Sequence, residues 1–159
     1  MIQGYENLNE EEFNFLIKVP VLITILIGEA DSEIDKQEVK WGEKVAHFRS
    51  VTGDINVQEY YKHVDEHFNE YLDQYLHHYG STSMNSKEII NNVSNDLKKV
   101  NEVLPKLNTE LANSLYESFK SFAVHIAKAS GGIFQMGSIS PEEQELLSLD
   151  MINNPNQGA

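Results

Sequence analysis

Five helix-start signatures punctuate the chain, at Asn9–Glu12, Asp35–Glu38, Asn56–Glu59, Asn85–Glu88 and Ser140–Glu143. Each sets an oxygen-bearing side chain three residues before a glutamate, so that two orphan backbone donors of a helix start can be satisfied reciprocally. Pro141 adds a proline at a first helical position, where its missing N–H costs nothing. No alternating run reads as a strand, so the expected fold is all-α. Pro20 and Pro105 fall inside apolar-periodic stretches, and each is expected to end one helix and begin the next. Seven helices follow, over about 9–18, 20–30, 35–50, 56–79, 85–103, 105–129 and 140–151.

The span 20–30 is apolar nearly all round (Val21, Leu22, Ile23, Ile25, Leu26, Ile27), which marks a central buried helix. Its longest apolar run, "VPVLITILIG", is about ten residues and too short to cross a bilayer as a helix. Tyr60, Val64, Phe68, Tyr71, Tyr75 and Tyr79 repeat at three- and four-residue spacing and predict one broad core face. Ile90, Val93, Leu97, Val100 and Leu104 repeat the pattern in the next helix. Residues 1–152 are expected to form one helical domain, and the tail 153–159, "NNPNQGA", to be disordered because it has nothing to bury.

Twelve basic residues stand against twenty-five acidic ones, a net charge of −13. That balance argues against binding a phosphate backbone, where lysine and arginine supply most of the affinity. It favours cations, protein partners with basic or membrane-associated surfaces, or simply solubility. The absence of cysteine excludes disulfides, thiolate zinc sites, iron–sulfur clusters and cysteine nucleophiles. No G-x-S-x-G and no phosphate-cradling loop is present, and no lysine follows Ser130-Gly131-Gly132 as a P-loop would require. An enzyme is not expected. The N-terminal stretch lacks a basic segment and a small-residue cleavage site, so a cytoplasmic protein without direct membrane insertion is the expectation.

The stretch "GEADSEIDKQE" (28–38) is the densest run of acids. Alternating carboxylates on a tight turn can ligate calcium, but an EF-hand needs glycine at loop position six and glutamate at twelve. Counted from Asp31, those positions hold Lys36 and Gly42. Helix capping explains Asp35 and Glu38 without a metal, while Asp31 has no capping role; a capping carboxylate still keeps free lone pairs. His63 and His67 lie one helical turn apart, as zinc ligands do, yet "HVDEH" lacks the glutamate that directly follows the first histidine in zinc proteases. Two solvated boundary histidines are the simpler reading, with a His/carboxylate metalloenzyme behind it. His77 and His78 suit a helix C-terminus, and His47 and His125 read as isolated. Trp41, the only tryptophan, is either half buried against the preceding helix or an exposed binding anchor.

Residues 26–38 and 126–143 share a plan: an apolar helix ends at Ala30 or Ala129, a polar loop follows, and Ile34 or Ile139 precedes a capped acidic helix start. Two such helix–loop–helix units suggest a pseudo-twofold bundle. The first, Ala30-Asp31-Ser32-Glu33-Ile34-Asp35-Lys36-Gln37-Glu38, resembles the A-D-G-x-I-x-x-x-E signature of the TerB-like (tellurite-resistance) domains. The resemblance implies an all-helical, non-enzymatic, cytoplasmic bacterial domain of a stress or tellurite-resistance system. It also implies a divalent-cation site (calcium or similar) drawing on Asp31, Asp35, Glu38, Glu142 and Glu143. The signature glycine is Ser32 here, and the second copy carries Ser130 at the aspartate position, so the second half offers only Glu142 and Glu143 and binding should be weak. If a cation is held, calcium raises the melting temperature, and Asp31→Asn with Glu38→Gln removes the increase. A metal-free acidic protein-interaction module is the alternative.

Overall fold

Pro20 does not break the first helix. In the computed structural model, which describes residues 2–30, 36–130 and 141–155 (backbone alone for 36–39, 129–130 and 141–143), α1 runs unbroken through it over Glu10–Ala30. The expected pair of helices, 9–18 and 20–30, is therefore one. An interior proline costs about 3 kcal/mol, because a carbonyl one turn earlier loses its donor and is crowded by the ring. Here that carbonyl belongs to Leu16, and the buried Tyr60 hydroxyl donates to it instead. Every residue from Val19 to Gly28 is buried. Burying a large aliphatic side chain contributes about 1.5–3 kcal/mol, so the packing of this segment outweighs the proline many times over.

The remaining elements are α2 (Lys36–Thr52), α3 (Ile55–Gly80), α4 (Ser86–Leu97), the single turn α5 (Val100–Val103), a 3₁₀ turn at Leu104–Lys106, α6 (Thr109–Ser130) and α7 (Pro141–Leu147). The protein is all-helical, with no strand among the described residues. α1 is the central helix and touches α2, α3, α4, α6 and α7. By length and composition it could cross a bilayer, a property hidden when it is read as two pieces, but 72% of its apolar window is packed inside the bundle.

Two expected capping boxes form as drawn. Asn9 accepts from the Glu12 amide while Glu12 accepts from the Asn9 amide, and Asn85 and Glu88 repeat the exchange. The third is displaced: Asp54, not Asn56, caps α3, its carboxylate accepting from the Asn56 amide at 2.9 Å. The aspartate two residues earlier starts the helix first, and the chain turns at Gly53 immediately before it. The boxes at Asp35 and Ser140 lie outside the described residues. Pro105 does end a helix, but α6 begins later than expected, with Asn108 accepting from the Leu111 amide at 2.8 Å. The aromatic stripe of α3 faces the core, with Tyr60, Val64 and Phe68 fully buried and Tyr71 and Tyr75 packed at its edge. At the C-terminal end Asn101 holds the chain on both sides, donating to the Met151 carbonyl and accepting from the Asn153 amide.

Gly42 sets how closely α2 approaches this core. A Cβ there would lie 2.7 Å from Thr24 Oγ1 and 2.8 Å from the tip of Phe68, both fully buried. The only side-chain-free residue type thus sits where α1, α2 and α3 meet.

Candidate functional site

α2 is built the wrong way round for a helix that only supports a core. Its buried positions from residue 40 onward are all small, Gly42, Ala46 and Ser50, spaced four apart. Its large apolar residues face outward instead: Trp41 is 42% exposed, Phe48 65% and Val51 58%, with Val45 half-buried between them. Small residues at a four-residue interval allow close helix approach. They leave the bulky residues at 41, 45 and 48, one turn apart, as a continuous strip on the opposite side. Scattered exposed hydrophobics need no explanation, but a contiguous strip does. Trp41 is thus about half covered, the first of the two readings its sequence position allowed, and turns the rest of its ring outward.

This strip forms one wall of an open groove of about 550 Å³, whose other wall is the last turns of α6. Trp41, Val45 and Phe48 supply the apolar wall, and Lys44, Arg49 and Lys128 the cations. No acid lines it among the described residues, in a chain of net charge −13. Lys44 lies over the Trp41 ring at 5.4 Å, a cation–π contact that holds ammonium and indole on one face. Glu43, between them in sequence, is turned away and accepts from Asn69 on α3 at 3.1 Å.

Arg49, the only arginine of the sequence, joins the groove to the core. Its guanidinium lies against the Tyr61 and Phe122 rings at 5.3 and 5.4 Å. One terminal nitrogen donates to the Tyr61 hydroxyl and the Ser118 carbonyl, the other to Ser121 Oγ and His125 Nδ1. All four partners are neutral, and no described carboxylate stands within ion-pairing distance. Burial and the adjacent cations Arg49 and Lys128 push His125 below the ordinary imidazole value. That keeps its Nδ1 a lone-pair acceptor for Arg49 near neutrality. His125 is thus not isolated, and neither is His47, whose Nδ1 lies 2.9 Å from Asp65. Arg49→Lys should cost about 2 kcal/mol, because one ammonium cannot reach acceptors on both α3 and α6 as a planar fork does. The check is a lower denaturant midpoint at unchanged slope.

The acids expected to hold a cation cannot be placed. Asp31 and Asp35 fall outside the described residues, and the side chains of Glu38, Glu142 and Glu143 do as well. His63 packs edge-on against Phe13 at 5.5 Å between centroids, and His67 faces Glu70 at 3.4 Å and the Tyr71 ring. Among the described residues no three histidine, aspartate or glutamate side chains gather as a metal site would need. The residues that reasoning from sequence missed are Phe48, Val51 and Arg49. For Phe48 and Val51 the small-residue spacing at 42, 46 and 50 was the available signal, because it marks a side of α2 able to pack closely without requiring that it do so.

No family model matches the chain, and no curated protein or solved structure matches it either.

Proposed function

We propose that this protein is a non-enzymatic recognition module that binds another macromolecule through the outward strip of α2. The observation that carries this reading is the inverted placement on that helix, with Gly42, Ala46 and Ser50 inside and Trp41, Phe48 and Val51 outside. Fully burying a large apolar side chain gains about 1.5–3 kcal/mol over full exposure; these three, 42–65% exposed, forgo part of that, which docking a partner would recover. The TerB-like resemblance of Ala30–Glu38 supports the same class, a helical domain that acts by binding rather than by chemistry.

A photo-crosslinking amino acid placed at position 48 in the native host tests the reading, with position 87 on α4 as control. The expected result is a small set of discrete protein adducts from position 48 and none from 87. Adducts from both positions alike, or from neither, would sink it.

A further inference from the structure

We infer that the groove between α2 and α6 takes an acidic amphipathic helix of a partner protein; this rests on the recognition reading above and adds the chemistry of what is recognised. From Trp41 to Val51 the strip spans eleven residues, ten steps of 1.5 Å or about 15 Å. That equals three turns of a helix presenting apolar side chains at i, i+3 or i+4, and i+7, the usual register of helix-in-groove recognition. Small-molecule sites enclose most of their ligand, whereas Phe48, on the groove wall, stands more than half exposed. An extended, open strip suits a helix better than a compact ligand.

Charge selects the kind of helix. The chain as a whole repels acidic proteins, with a net charge of −13, yet this groove presents Lys44 and Arg49 and no described acid. Arg49 is already held in place by neutral acceptors on α3 and α6, so its charge is preorganised and uncompensated among the described residues. A helix with glutamate or aspartate flanking its apolar stripe would gain both burial and charge complementarity. A lysine-flanked helix would meet like charge, which costs affinity. A second copy of this chain docked strip to strip would oppose Lys44 and Arg49 to themselves and is disfavoured on the same ground.

The test is a displayed library of sixteen-residue amphipathic peptides whose flanking positions sample Glu, Lys and Ser equally. It is selected on the full chain and counter-selected on Phe48→Asp. Phe48 is exposed, so that variant should keep its melting temperature within about 2 °C. Recovered peptides should be Glu-flanked, and should shift the emission of Trp41, the single tryptophan, to the blue. They should lose at least about tenfold in affinity on Lys44→Glu and weaken with added salt. Lys-flanked or charge-blind peptides, or no Phe48-dependent binder at all, would overturn the inference. So would phosphatidylserine vesicles that shift Trp41 and displace the peptides, or a dimer that Phe48→Asp dissolves. Protein adducts from position 48 together with Lys-flanked peptides would leave the recognition reading standing and remove only the acidic helix.

Discussion

Replacing Gly42 by valine lowers the stability of the bundle by about 3 kcal/mol, at the upper end of what overpacking costs, and the melting temperature by roughly 6–12 °C. The cause is the triple junction of α1, α2 and α3. A Cβ at this position falls 2.7 Å from Thr24 Oγ1 and 2.8 Å from Phe68 Cζ. Neither neighbour can swing aside cheaply. The Thr24 hydroxyl is engaged with the Pro20 carbonyl at 2.9 Å, and Phe68 has no exposed surface. Valine is the better helix former by a few tenths of a kcal/mol, too little to offset the overlap. Phe68→Leu removes the ring tip, so the double variant should lose less than the sum of the two singles. Strict additivity in denaturant titrations would show that the two side chains do not compete for one space.

The second large effect couples Tyr60 to Pro20, forty positions apart in sequence. Tyr60→Phe should cost about 2 kcal/mol, because the Leu16 carbonyl, denied a donor by Pro20, is left buried and unpaired. Burial holds the Tyr60 phenol far above its ordinary pKa, so it remains a donor and the loss should not vary between pH 5 and 9. In a Pro20→Ala background the residue at position 20 has its own N–H for Leu16. The same Tyr60→Phe change should then cost less than half as much. An equal cost in both backgrounds would mean that Tyr60 acts by packing, not by repairing the proline.

These two sites also mark what could be read along the chain. Helix starts at Asn9 and Asn85 were legible because a capping box is a contact among four consecutive residues. The core stripe of α3 was legible because helical spacing alone brings Tyr60, Val64 and Phe68 to one face. Pro20 was misread for the complementary reason. A proline's cost is local and visible, whereas the Tyr60 hydroxyl that repairs it comes from another helix. The start of α3 moved from Asn56 to Asp54 because the aspartate two residues earlier starts the helix first, directly after the chain turns at Gly53. Arg49 gave no sign of its position at all. Its acceptors lie 12 to 76 residues away in sequence, on α3 and α6.

The groove divides in the same way. Its ingredients, a tryptophan and a phenylalanine seven residues apart with lysine between them, are plain in the sequence, and so is the helix that carries them. Local hydrogen bonding and the 3.6-residue period determine that much, because both act over a single turn. Which side of α2 turns inward was decided only when Gly42 met Thr24 and Phe68. Close packing there admits the small face and leaves Trp41, Phe48 and Val51 in water, and no property of α2 alone requires that choice.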